Sequence, residues 1–171
     1  HEWSDIIDSV IQILYTAEAM NITQANVHTT DFDQFQIHEE LANRIIQVVS
    51  TVGNYDELYQ SEAGIVVPRK GVNRLNQHLD TGLMYSYPVG QTDEIARSGT
   101  LPFSATLQEI KPRTYLRCGI TRRPGFAEYD DSATNDYFGM DVEYCKLLSA
   151  ALFVGNVSKV EFIELNETTR F

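Results

Sequence analysis

The sequence is poor in positive charge and in cysteine, and it has no long apolar run. Thirteen lysines and arginines stand against 24 aspartates and glutamates, which gives a net charge of −11. Nucleic-acid binding depends on lysine and arginine side chains that displace counterions from the phosphates. Because this chain has few of them and is strongly acidic, nucleic acid is not expected as a partner. No apolar stretch approaches the roughly 18 residues that a membrane-spanning helix needs, so no membrane span is expected.

Metal, cofactor and catalytic motifs are also missing. The chain has two cysteines, Cys118 and Cys145, and four scattered histidines. The cysteine spacing fits neither a CxxC redox motif nor a zinc site, so we expect no metal and no cofactor. The sequence shows no Ser/His/Asp order, no cysteine beside a histidine and no glycine-rich phosphate loop, so we expect no enzyme.

Several features indicate an extracellular protein. The chain begins at His1, as expected of a processed or excerpted piece. Asn-X-Ser/Thr sequons begin at Asn21, Asn156 and Asn166, where chance would give about one in a chain of this length. We therefore expect a secreted eukaryotic product with an N-linked glycan on at least one of the three asparagines. An even cysteine count in such a chain permits one disulfide, the alternative being two buried thiols.

The first part of the sequence has a helical pattern. Apolar residues recur at helical spacing and predict helices over residues 3–20, 37–52, 54–64 and 71–82. Proline, glycine and serine then cluster without periodicity over residues 87–104, which indicates a linker.

The last part of the sequence alternates strand and helix patterns. After a short helix within 105–113 that ends at Pro112, the pattern predicts a strand over 114–120, a polar loop over 121–138, a helix over 139–153 and a strand over 159–165. Strand, helix and strand in this order predict a βαβ unit with parallel strands.

A candidate ligand site follows from this arrangement, because ligands of open α/β sheets bind outside the carboxyl ends of the strands. The loop that begins at Thr121 lies there. Arg122 and Arg123 can pair with a carboxylate, and Phe126 offers a flat apolar wall. If a ligand binds, we expect it to meet Thr121, Arg123 and Phe126 first. The alternative is a solvated loop with one buried phenylalanine.

Particular motifs carry a family resemblance. The segment with "LRCGI", Gly-Phe at 125–126, "GMDVEYC" and "TTRF" resembles the N-terminal part of family 3 extracellular solute-binding proteins, in the subgroup of general L-amino-acid-binding components of ABC transporters. The segments "EWSDIIDSVIQILYTAEAMNITQANV", "VGNYDELYQ" and "GVNRLNQHLDTGLMYSYP" resemble the C-terminal helices of the same subgroup. The two parts therefore stand in swapped order. This order is expected where the end of one copy in a tandem array joins the start of the next, or in a circular permutant.

The resemblance implies a fold. It is the α/β fold of lobe 1 of a type II periplasmic-binding protein, built from a helix-rich part (1–86), a linker (87–104) and a βαβ part (105–171). Both cysteine positions recur in the subgroup. A helix that returns antiparallel over its strand can bring two Cα atoms within about 7 Å, so we expect a Cys118–Cys145 disulfide. The family's own ligand anchors, a Ser/Thr-x-Arg element and an acidic residue on lobe 2, fall outside this chain.

Two functions remain open. One is an extracellular, self-associating structural subunit, a fibre or array built from a solute-binding lobe. Its copies would pair head to tail through an edge strand such as 159–165. The alternative is an amino-acid-binding module, extracellular or periplasmic, of a transport or receptor system whose second lobe lies outside this chain. The lobe is completed either within one chain or between neighbouring chains.

Overall fold

The helical part begins with two amphipathic helices. The computed structural model describes residues 2–70, 105–132, 136–166 and 168–169. Helix α1 (Glu2–Ala19) and helix α2 (Glu39–Val52) occur where the apolar periodicity predicts them, with a short 3-10 helix (Asp33–Phe35) between. The two helices enclose a core formed by Ile13, Ala17, Ile22, Val27, Ile45 and Val49. Within the described residues, no helix is both long and apolar enough to cross a bilayer.

The predicted third helix, over 54–64, is divided in the structure. Helix α3 (Tyr55–Ser61) begins at Asn54, whose side chain and that of Glu57 cap each other's backbone N–H groups. The backbone leaves the helical conformation at Glu62, and helix α4 (Ala63–Val66) follows. The prediction of one continuous helix was therefore wrong. The predicted helix over 71–82 and the linker over 87–104 lie outside the described residues.

The last part of the chain is a βαβ unit, as predicted. Helix α5 (Ala105–Arg113) precedes the unit. The unit itself consists of strand β1 (Leu116–Ile120), helix α6 (Met140–Leu152) and strand β4 (Val160–Glu164). Strands β1 and β4 pair in parallel, with Cys118 opposite Phe162 and Ile120 opposite Glu164. The protein is thus a mixed α/β structure with a small parallel sheet.

The segment between β1 and α6 corrects a second prediction. Residues 121–138 were expected to be a polar loop, but strands β2 (Glu128–Asp130) and β3 (Asp136–Phe138) form an antiparallel pair there. The rings of Tyr129 and Tyr137 lie opposite each other, with centroids 4.8 Å apart. A cross-strand aromatic pair of this kind stabilises a short strand pair that has few backbone hydrogen bonds.

The helical and βαβ parts pack against each other within one chain. A second core joins α1, α3 and α4 to α6, and its buried members are Val10, Leu14, Tyr55, Leu58, Ala63, Met140 and Leu147. Side chains from both parts are buried in the same cluster. The two parts of this chain therefore pack on each other, which is one of the two arrangements that the sequence allows.

A buried ion cluster also anchors the end of the helical part. Arg69 is only 6% exposed, and its guanidinium lies 2.9 Å from Glu18 Oε1 on α1 and 2.6 Å from Asp56 Oδ1 on α3. It also lies over the ring of Tyr55, 5.1 Å from the centroid. Burial opposes the charge, but the neighbouring carboxylates of Glu18 and Asp56 raise the pKa of Arg69 above its usual value.

Candidate functional site

Residues 121–127, the ligand loop, follow strand β1 directly. Backbone hydrogen bonds close it into a tight turn, with Arg123 N 2.9 Å from Ala127 O and Ala127 N 3.0 Å from Arg123 O. Gly125, inside the turn, has φ +76°. A Cβ at this position would lie 3.0 Å from Ala63 Cα and 3.2 Å from Glu62 O, so the turn needs both the conformation and the small size of glycine.

The ligand loop is fixed to the first turn of α6. Met140 N donates to Gly125 O at 3.1 Å, and Asp141 N donates to Phe126 O at 2.9 Å. These bonds satisfy two backbone N–H groups that a helix start leaves without a partner. Gly139, just before the helix, has φ +118°, and a Cβ there would lie 2.5 Å from Phe126 O. The Gly-Phe and Gly-Met-Asp segments therefore lock together through backbone contacts.

The three expected ligand contacts share this loop but differ in accessibility. The Thr121 hydroxyl donates to Leu165 O at 3.2 Å, so it ties the ends of β1 and β4 together. Phe126 is half-buried and packs against the core shared by α3, α4 and α6. Arg123 is exposed, and no acidic side chain of the described residues pairs with it. Ligand contact at these residues stays a prediction.

Arg122 has a different environment from that of its neighbour. Its Nε lies 3.0 Å from Glu164 Oε1 at the end of β4, and its guanidinium lies over the Tyr129 ring, 5.5 Å from the centroid. The hydrogen bond and the charge of Glu164 raise the pKa of Arg122. Arg122 therefore already pairs with a carboxylate of the protein, which leaves Arg123 as the arginine of this pair that is available to a ligand carboxylate.

The backbone of Glu62 adjoins the ligand loop at Gly125, and the carboxyl of this residue has a shifted pKa. Burial, followed by the negative charge of Glu143, raises the pKa of Glu62, while Lys146 acts in the opposite direction. Lys146 Nζ lies 2.8 Å from Glu143 Oε1. In the described ranges no group of three or more His, Cys, Asp and Glu side chains could hold a metal ion.

Three apolar side chains on α4 and β3 are exposed, and one of them adjoins the ligand loop. Ile65 and Val66 on α4 are 76% and 49% exposed, and Phe138 at the end of β3 is 42% exposed. Val66 Cγ2 would lie 3.3 Å from a Cβ on Gly125, so it adjoins the turn directly. Among the described residues, the loop thus has the unpaired guanidinium of Arg123 and one exposed apolar neighbour, Val66.

A disulfide lies behind the loop. Cys118 on β1 and Cys145 on α6 are joined, with their Cα atoms 6.3 Å apart. The sequence led us to expect this pairing. The bond ties the strand that precedes the ligand loop to the helix on which the loop is fixed.

The structure also contains a cavity away from the ligand loop. It has a volume of about 400 Å³ and lies between α1, α2 and α6. Its apolar lining is formed by Ile6, Val10, Ile13, Val48, Leu147, Ala150 and Ala151. No residue of 121–127 lines it, so this cavity is not the site that the sequence predicts.

The sequon asparagines are all exposed. Asn21 follows α1 with φ 54°. Asn156 lies between α6 and β4, and Asn166 follows β4. Their glycosylation stays a prediction.

Comparison with known proteins gives a partial likeness. The chain is 35% identical over 68 residues to "Putative amino-acid ABC transporter-binding protein YhdW" of Escherichia coli (strain K12), and the same holds for the protein of that name in Escherichia coli O157:H7. The aligned part is 39% of this chain, and it spans only 19% of each relative's length. No protein-family model matches the chain, and no solved structure matches it. The chain is therefore similar, over part of its length, to a protein named for amino-acid transport.

Proposed function

We propose that this chain is part of an extracytoplasmic amino-acid-binding protein, in which the ligand loop faces the bound amino acid. The observation that carries the proposal is the 35% identity over 68 residues to a relative named as an amino-acid ABC transporter-binding protein. The position of residues 121–127, at the carboxyl end of parallel strand β1, agrees with the general position of ligands in α/β sheets.

The proposed chemistry uses the loop arginine that no acidic side chain of the described residues pairs with. An amino acid carries a carboxylate, and the planar guanidinium of an arginine binds a carboxylate through paired hydrogen bonds. Arg123 is exposed and has no acidic partner among the described side chains, whereas Arg122 is bound to Glu164. We therefore assign the carboxylate contact to Arg123, with Phe126 as an apolar wall.

The fold proposed for this part of the protein is lobe 1 of a type II periplasmic-binding protein, with its two segments in swapped order. The core in which Val10, Leu14 and Leu58 meet Met140 and Leu147 supports this, because one lobe requires the two segments to pack together. An extracellular or periplasmic location goes with this function. The Cys118–Cys145 disulfide is of the kind that persists in such oxidising compartments.

Self-association stays a prediction of the sequence. Among the described strands, β4 pairs only with β1, so one of its edges has no described strand beside it. The likeness to an amino-acid transport protein supports the binding module more than it supports a fibre subunit.

The proposal is tested by isothermal titration of the full-length protein that carries this chain with each of the twenty amino acids. We expect saturable binding of at least one of them, and a loss of at least tenfold in affinity for Arg123→Ala. Arg117→Ala is the matched control, since Arg117 is an exposed arginine on β1 that pairs with Glu161 at 3.2 Å. Absence of binding by every amino acid would refute the proposal.

A further inference from the structure

The turn between α6 and β4, residues 153–158, is tightly held by the backbone. Gly155 N donates to Ala150 O at 2.8 Å, and Asn156 N donates to Phe153 O at 3.2 Å. The Ser149 hydroxyl donates to Asn156 O at 2.9 Å. The backbone of Asn156 is thus fixed on both sides, while its side chain is exposed.

The side chain of Asn156 is presented in a particular way. Its Oδ1 accepts hydrogen bonds from Ser158 N and from the Ser158 hydroxyl, each at 3.0 Å. No described residue accepts a hydrogen bond from its Nδ2. The sequon hydroxyl therefore binds the carboxamide oxygen and leaves the amide nitrogen facing solvent.

An exposed apolar residue comes two positions before this asparagine in the same turn. Val154 is 100% exposed, and its backbone has φ 54°, a left-handed conformation that is rare for a β-branched residue. A helix ending of this type normally has glycine at the left-handed position, and here the glycine comes one residue later. The turn that carries the sequon therefore also exposes an apolar side chain.

We propose that Asn156 carries an N-linked glycan. Its Nδ2 forms a bond to the anomeric carbon of a lipid-linked pyrophosphoryl oligosaccharide. The anomeric C–O bond breaks, the electron pair leaves with the lipid pyrophosphate, and one Nδ2 proton passes to a base. The proposal adds a modification site and does not depend on amino-acid binding.

The other two sequons have different surroundings. At Asn166 the side chain makes the same kind of contacts as at Asn156, since its Oδ1 accepts from Thr168 N at 3.0 Å and from the Thr168 hydroxyl at 2.8 Å. The central residue of the first sequon, Ile22, is 1% exposed, and its carbonyl accepts a hydrogen bond from buried Asn54. Asn166 directly follows Leu165, whose carbonyl accepts from Thr121 of the ligand loop. Asn166 therefore follows β4, whereas Asn156 precedes it, at the opposite end of that strand.

Peptide mapping of the full-length protein secreted by eukaryotic cells tests the assignment. Trypsin cleaves after Lys146 and Lys159, so peptide 147–159 contains Asn156 as its one sequon, and Asn166 falls in the next peptide. Removal of N-glycans by an amidase in ¹⁸O-water converts each occupied asparagine to labelled aspartate. We expect the label in peptide 147–159, and recovery of that peptide with an unlabelled asparagine would overturn the proposal.

Variants separate the sequon from its surroundings. Ser158→Ala is expected to abolish the label in peptide 147–159, and Ser158→Thr is expected to keep it. Asn43→Gln is the control, because Asn43 is an exposed asparagine on α2 outside any sequon, and it should leave the label unchanged. If a variant is not secreted, the map of the unaltered protein decides the question alone. A label that persists in Ser158→Ala would also contradict the proposal.

Discussion

Gly125 packs directly on Ala63, so closely that a Cβ on the glycine would lie 3.0 Å from the Ala63 Cα. Ala63 is completely buried at the start of α4, and Gly125 lies in the turn of the ligand loop. This contact joins the helical part to the βαβ part at the candidate site. The position of the loop therefore depends on helices that come from the other end of the chain.

Gly125→Ala is expected to destabilise the fold. The left-handed backbone costs about 1–3 kcal/mol for a residue other than glycine, and contact with the backbone of Glu62 and Ala63 adds to this cost. The free energy of unfolding, measured by urea denaturation, gives the loss. Gly155→Ala is the matched control, since its φ is +82° but its new Cβ would meet only the flexible Gln47 side chain. Equal losses in both variants would contradict the packing argument.

Removal of the Cys118–Cys145 disulfide should lower stability by about 3 kcal/mol, because the bond closes a loop with a sequence separation of 27. The comparison is between oxidised protein and protein reduced and alkylated at both thiols, each unfolded in urea. Two alkylatable thiols in the unreduced native protein would show that the bond is absent there.

Arg69→Ala should cost about 3 kcal/mol, because it leaves the carboxylates of Glu18 and Asp56 close together without their shared cation. Arg44→Ala is the control. Arg44 pairs with Glu40 at 2.6 Å, but both side chains are more than half exposed, so we expect a change within about 0.5 kcal/mol. Similar losses of unfolding free energy for the two variants would show that the burial of Arg69 does not determine how much its ion pairs stabilise the fold.

Glu62→Gln should raise stability at neutral pH. The pKa of Glu62 is higher in the folded state than its ordinary value of 4.5 because of burial and of the charges of Glu143 and Glu128. A carboxyl with a raised folded-state pKa binds its proton more tightly when folded, so stability falls as pH rises through that pKa. Glutamine cannot ionise, so the variant avoids this loss of stability. Below about pH 4, Glu62 is protonated in both the folded and the unfolded state, and the advantage of the variant should vanish. An advantage that persists at acid pH would contradict this explanation.

The sequence predicted the elements that have a strong period or a strong local signal. The apolar repeats of α1, α2 and α6 and the apolar run of β1 appear within one or two residues of their expected bounds. The parallel pairing of β1 and β4 followed from their separation by a helix.

The features that the sequence did not predict depend on distant contacts. Strands β2 and β3 have three residues each and contain aspartates, so no alternating pattern marks them. Arg69 follows a proline and precedes a lysine, and only the acids on α1 and α3 explain its burial. Likewise, nothing local to Arg122 and Arg123 indicates that Glu164 pairs with one of them and not the other.

Native mass spectrometry of the gently purified full-length protein tests the central claim most directly, because it reports assembly and bound solute together. The amino-acid-binding account predicts a monomer whose mass exceeds that of the polypeptide and its modifications by one amino acid. It also predicts that this extra mass is lost in Arg123→Ala and kept in Arg117→Ala. A ladder of head-to-tail oligomers without bound solute would contradict the account and favour the self-associating subunit.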